Sequence, residues 1–123
     1  MANINVVNVS TINGLTTGVN LNSTSEISVL DNAAASGILY KVESLVVSNV
    51  TGSTATITIT YHSAASLGGT SYQICSTVSV PANASLVVIE KANGIYMEQG
   101  SSLGATAGTA NALKIVCSYE AIS

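Results

Sequence analysis

Apolar and polar residues alternate with a period of two along most of this chain. In "TATITITYH" Ala55, Ile57, Ile59 and Tyr61 form one apolar set, and Thr54, Thr56, Thr58, Thr60 and His62 form the polar set. A period of two predicts a half-buried β-strand, and β-branched Thr suits its outer face. "LKIVCSYE" repeats the scheme, with Leu113, Ile115, Cys117 and Tyr119 opposite Lys114, Ser118 and Glu120. In "ILYKVESLVVSNV" the alternation runs through Tyr40 and Val42, then changes phase near Glu43–Ser44 so that Leu45, Val47 and Asn49 share a face. A phase change inside a strand predicts a bulge or a bend. "TSYQICSTVSV" alternates through Tyr72, Ile74, Ser76, Val78 and Val80 and stops at Pro81, which has no N–H to give to a ladder. "ASLVVIEK" is apolar at both parities and reads as a strand covered on both sides. "SEISVL" is a further strand, and "SSLGATA" is a short, weak one.

The joints support this reading. "NVTGST", "SLGGTS", "VPANAS", "KANGIY" and "AGTANA" are turn chemistry, recurring at roughly 8–12 residues as in sandwiches and barrels. Asn93–Gly94 is the strongest tight-turn dipeptide. No apolar stripe of helical period occurs. The expected fold is all-β: a single-domain antiparallel β-sandwich, jelly-roll-like, with seven to nine short strands. Residues 1–25 stand apart, because their Val, Leu and Ile are scattered among Asn, Thr and Gly. They read either as an edge strand or as an extended N-terminal arm that adds to a neighbouring subunit by strand pairing; residues 26–123 form the sandwich. Ile4, Val6, Val7, Val9, Ile12 and Leu15 are the candidate partner contacts of that arm.

Composition sharpens the functional side. Of 123 residues 47% are hydrophobic, yet Phe and Trp are absent, so Val, Ile, Leu, Ala and Tyr must fill the core. Only 7% are charged, against roughly 25% in an ordinary soluble protein. A net charge of −3 with three Lys and no Arg argues against nucleic acid and against anionic membranes, both of which need clustered cations. Weak surface charge gives little colloidal repulsion, which suits a chain that lives covered in an assembly. No apolar run approaches the roughly 18 residues of a membrane helix. The opening "MANINVVNVS" has neither a basic n-region nor an apolar h-region, which predicts a chain kept in a cytosol until assembled.

Groups able to do chemistry are few. His62, the only histidine, follows the polar parity of its strand and is expected to be exposed or at a rim. Cys75 and Cys117 lie in apolar strands and read as two buried thiols, with a disulfide between neighbouring strands as the rival. Neither spacing nor ligand number suggests a metal site. Glu90 and Glu98, with Glu43 and Glu120 elsewhere, are the carboxylates available for glycoside chemistry, and their spacing carries no information. No enzyme activity, catalytic residue or cofactor is expected. Asn8, Asn22, Asn49 and Asn83 open Asn-X-Ser/Thr triplets of the kind that this composition produces by chance. Sugar binding through Tyr61, Tyr72 and Tyr96 is an alternative, although the first two have inward parity.

"ILYKVESLVVSNVTGSTATITITYH", "STVSVPANASLVVIEKANGIYMEQGSSLGATA" and "KIVCSYEAIS", in that order, resemble small virion structural proteins of tailed bacteriophages, notably phages of cyanobacteria and marine bacteria. The likeness covers residues 38–123. It implies a compact β-sandwich without enzymatic activity, made in the host cytoplasm and placed on the virion. The favoured role is a capsid decoration (cement) protein at the capsid surface. Its partners would be other copies of itself, a trimer foremost, and the major capsid protein or neighbouring virion proteins. A neck or tail component is the alternative within the virion.

Overall fold

A computed structural model describes residues 4–123, so the first three residues of the expected arm lie outside it. Nine strands form two antiparallel sheets: β1 Ile12–Asn20, β2 Ile27–Asn32, β3 Leu39–Asn49, β4 Ala55–Ala64, β5 Gly68–Val80, β6 Ser85–Ile89, β7 Ile95–Met97, β8 Ser101–Ala107 and β9 Leu113–Ile122. A single 3-10 turn, Lys91–Asn93, separates β6 from β7. One sheet has the order β1-β9-β3-β6, with β7 continuing the β6 flank along β3, and the other has the order β2-β8-β4-β5. Successive strands β1 to β4 thus alternate between sheets, and β5, β6, β8 and β9 return to pair with them. That wiring is a jelly roll.

The core lies between the sheets. Val42, Leu45 and Val47 of β3 and Leu113, Ile115 and Cys117 of β9 face Ile57 and Ile59 of β4 and Leu103, Ala105 and Ala107 of β8. The phase change in β3 is a bulge: its register with β9 shifts between Val42 and Ser44, leaving Glu43 as the extra residue. This lets Tyr40 and Val42 face the core on one side of the bulge while Leu45 and Val47 do so on the other. β5 has thirteen residues against ten in β4, and three register shifts absorb the difference. Its simple alternation is therefore broken. Cys75, Val78 and Val80 oppose Ile59, Ile57 and Ala55, while Ile74 is a bulge residue.

Two expectations change. "ASLVVIEK" is not covered on both sides: β6 is an edge strand, and Val87 on its outer face is 55% exposed. "SSLGATA" is far from weak, since β8 sits centrally between β2 and β4 with six of its seven residues buried. Small Ser, Gly and Ala side chains let both faces of β8 be covered. Of the two readings for residues 1–25, the edge strand describes residues 12–20, which pair with β9 over nine consecutive positions without a register shift.

Two buried asparagines tie the sheets at opposite ends. Asn32, ending β2, donates through Nδ2 to the carbonyls of Ile38 (2.8 Å) and Met97 (3.0 Å) and accepts from Ser36 Oγ (2.5 Å). Asn49, ending β3, donates to the carbonyls of Ser53 (2.7 Å) and Val80 (3.0 Å) and accepts from Thr51 N (3.0 Å) and Thr51 Oγ1 (2.7 Å). Each side chain supplies the bonds that a turning backbone would otherwise leave unmade in the interior.

Candidate assembly surface

The exposed strand edges show a property that most isolated sandwiches avoid. Edge strands carry unpaired N–H and C=O groups, and soluble proteins protect them with Lys, Pro or bulges. β1, "INGLTTGVN", has no charged residue, no proline and no register shift. β5, "GGTSYQICSTVSV", is equally uncharged, but its three bulges interrupt the edge. β6, "SLVVI", is uncharged and short. β1 is thus a long, regular edge left unprotected.

The adjoining outer face of the same sheet adds to this. Cross-strand pairing places Gly18, Val116, Val46 and Val87 in one row across β1, β9, β3 and β6. The rows beside it are Thr16, Ser118 and Ser44 on one side and Asn20, Lys114, Ser48 and Ser85 on the other. Lys114 is the one charge among them, and its Nζ donates to Asn20 Oδ1 at 2.7 Å. The result is a patch of small side chains around the valine row, bounded by a charged row of Gly14, Glu120, Lys41 and Tyr96.

The predicted arm residues do not gather at one site. Ile4 and Val6 line a cavity of about 410 Å³ with Leu39, Tyr96 and Glu98. Val7 is 84% exposed, Val9 is half-buried, and Ile12 and Leu15 stand exposed on β1. Beside the first cavity, and sharing Tyr96 with it, a crevice of about 260 Å³ is lined by Tyr61, Ile74, Ile95 and Tyr96. The Tyr61 and Tyr72 rings are 6.4 Å apart, and Lys41 Nζ lies 5.9 Å from the Tyr96 ring centroid. Tyr61, Tyr72 and Tyr96, distant in sequence, therefore surround one rim, because β4, β5 and β7 meet at the open side of the sandwich.

His62 corrects the expectation of an exposed or rim position: it is 6% exposed. Its parity is indeed outward, but the outer face of its sheet is covered locally. Glu26, before β2, and Leu67, in the β4–β5 turn, both press on Gly104, where any Cβ would collide with Glu26 Oε2 and Leu67 Cδ2. His62 Nε2 lies 2.7 Å from Glu26 Oε2, and the buried Nδ1 has no partner. Ser66 and Leu67 both adopt φ 58°, a left-handed pair that favours Asn-Gly. Ser66 N donates to Asp31 Oδ1 (2.8 Å) and Leu67 N to Ser102 Oγ (2.9 Å), which hold the turn in that conformation. Glu26 and His62 are 36 residues apart, and no short motif announces them.

The remaining chemical groups are dispersed. Cys75 and Cys117 are free thiols, half-buried and buried. Burial pushes Cys75 upward and Cys117 to about 11, so both are poor thiolates. Glu43 pairs with Lys41 at 3.6 Å, Glu90 begins the 3-10 turn, and Glu98 lies on the first cavity wall. Among the described residues no group of three or more His, Cys, Asp and Glu could hold a metal ion, and no helix is long and apolar enough to cross a membrane.

No protein-family model and no curated protein matches the chain. A solved chain from Bacillus endospore appendages, described as a novel family of disulfide-linked pili, is similar in fold with a TM-score of 0.53. The two are 13% identical, over 92% of this chain and 87% of that one. At that identity the likeness concerns the sandwich alone.

Proposed function

We propose that this chain is a non-enzymatic structural subunit that joins further copies of itself into a surface assembly through the exposed edge of β1. The carrying observation is that edge: nine residues in unbroken register with β9 and without a charge, a proline or a bulge. A strand from a second copy would satisfy its outward backbone groups, and the neighbouring valine row would bury apolar area at the same contact. The arm residues Ile4, Val6, Val7, Val9, Ile12 and Leu15 lie on or just before β1, where such a contact would reach them. Two kinds of assembly are suggested by likeness. The motif order of residues 38–123 suggests a tailed-phage virion, with the chain as a decoration protein that cements the head shell. The structural neighbour suggests a pilus-like appendage.

Leu15→Lys tests the proposal, since a charge on an edge strand opposes strand addition while an exposed substitution shifts stability by only about 0.5 kcal/mol. Light scattering and electron microscopy should find oligomers or fibres of the parent and monomers of Leu15→Lys, with unchanged circular dichroism. A parent that stays monomeric at high concentration and binds no particle overturns the proposal. If Val116→Lys abolishes assembly and Leu15→Lys does not, the contact is face stacking and the edge assignment fails. For the virion, copy number separates the roles. A stoichiometry on the scale of the shell subunit means decoration, for which a trimer is expected, and that of a single ring means neck or tail.

The convergence of Tyr61, Tyr72 and Tyr96 favours a second reading, a glycan-binding sandwich for host attachment, because tyrosine rings stack on apolar sugar faces. It predicts binding on a glycan array that Tyr96→Ala abolishes. An array without signal for the parent removes this reading.

A further inference from the structure

The 3-10 turn between β6 and β7 lies apart from the β1 edge. It ends at Asn93, with Gly94 directly after it. Glu90 N donates to Asn93 Oδ1 at 3.0 Å, while Asn93 N donates to the Glu90 carbonyl at 3.0 Å, so the asparagine side chain closes the turn. Gly94 is fixed by packing: a Cβ there would lie 2.5 Å from the Val42 carbonyl oxygen. The geometry points to Asn93–Gly94 as a self-modification site, at which the chain converts its own asparagine to aspartate and isoaspartate through a succinimide.

The step balances with water as the only co-reactant. The Gly94 amide nitrogen attacks Asn93 Cγ and loses its proton to solvent. The bond from Cγ to Nδ2 breaks, and ammonia leaves with a proton taken from solvent. Water then opens the ring at either carbonyl. Opening at Cγ gives aspartate, and opening at the main-chain carbonyl gives isoaspartate, whose main chain is longer by one methylene.

Three features favour this reaction here. Gly94 has no side chain to hinder its nitrogen. The Glu90 N–H already donates to Oδ1, the oxygen on which negative charge grows as Cγ becomes tetrahedral. Glu90, Lys91, Ala92 and Asn93 are all exposed, so water reaches the turn. The chain supplies its own comparison in Asn13–Gly14, the same dipeptide within β1, where both residues are paired to β9, to Ala121 and Glu120. Closing a succinimide there must distort a continuous ladder.

The two products differ in consequence. Aspartate keeps an acceptor for Glu90 N and adds one negative charge to a chain whose net charge is −3. Isoaspartate lengthens the chain directly before β7, where Ile95, Tyr96 and Met97 pair with Val42, Lys41 and Tyr40. Met97 is fully buried, so a slip in that register reaches the core.

The experiment is peptide mapping by mass spectrometry of the folded protein during incubation at neutral and mildly alkaline pH, with isoaspartate detected by isoaspartyl methyltransferase. Asn93 should convert about tenfold faster than Asn13, less than one donor contributes in a buried active site because this turn is open to water. It should also convert faster in the folded chain than in a synthetic peptide of the same residues. An unchanged Asn93, equal rates at the two dipeptides, or a faster free peptide would each overturn the proposal. Asn93→Asp should melt like the parent, whereas the isoaspartate form, separated by ion exchange, should melt lower; equal melting of the two would refute the β7 consequence.

Discussion

Asn49→Ala should lower the stability of the sandwich by about 2–4 kcal/mol, because it strips the buried Val80 end of β5 of a hydrogen-bond donor and unfastens the β3–β4 turn. The side chain is 2% exposed, and every polar atom it has is engaged. Water cannot enter to replace it without opening the end of the sandwich, so the cost is that of orphaned partners and not of an average hydrogen bond. Against a total stability of roughly 5–15 kcal/mol this is a large fraction. Chemical denaturation should show a lower midpoint with an unchanged slope, since the surface exposed on unfolding is nearly the same. A loss under 1 kcal/mol would mean that the turn closes without its asparagine.

Leu103→Ala should cost as much or more, about 3–5 kcal/mol. Leu103 is fully buried in the central strand β8, opposite Leu30 of β2 and Tyr61 of β4. Its strand neighbours on the core side are alanines, Ala105 and Ala107, so it supplies most of the bulk that β8 contributes. The core holds no Phe or Trp, so aliphatic side chains supply most of its bulk. The expected fall in melting temperature is on the order of 10 °C. Leu103→Met should lose under about 1.5 kcal/mol, since it nearly conserves volume. Equal losses for Ala and Met would show that shape, and not a cavity, sets the cost.

These two residues also mark how far the fold was legible. β4 could be read directly because Thr and Ile alternate there without interruption as far as Ile59. The β3 bulge was legible because Glu43 shifts the apolar phase by one. β8 was underrated because a strand covered on both faces by close neighbours needs small residues, and small residues carry almost no hydrophobic signal. β5 was misphased because its three bulges each move the inward set by one position, which no period can anticipate. Asn49 shares the parity of Leu45 and Val47, so its inward direction was visible, but its role depends on Val80 and Ser53 arriving at that end. The burial of His62 likewise depends on Glu26 and Leu67, which only the tertiary fold brings to Gly104. The tyrosine rim is half legible: Tyr61, Tyr72 and Tyr96 are the rings that the sequence offers, and their convergence follows from the meeting of β4, β5 and β7.

The attachment of β1 solely to β9 has a consequence for how the molecule is made. Thr16 and Ser118, whose side chains lie 3.1 Å apart across that pairing, are separated by 102 residues. β1 is therefore made well before its own partner exists, with every other strand of the sandwich made in between. Closing so long a loop is among the slowest events in forming a sheet. Until Leu113–Ile122 has been made, the inward edge of β1 has no strand of its own sheet to pair with, so its docking belongs to the last part of folding and completes the order that β9 joins.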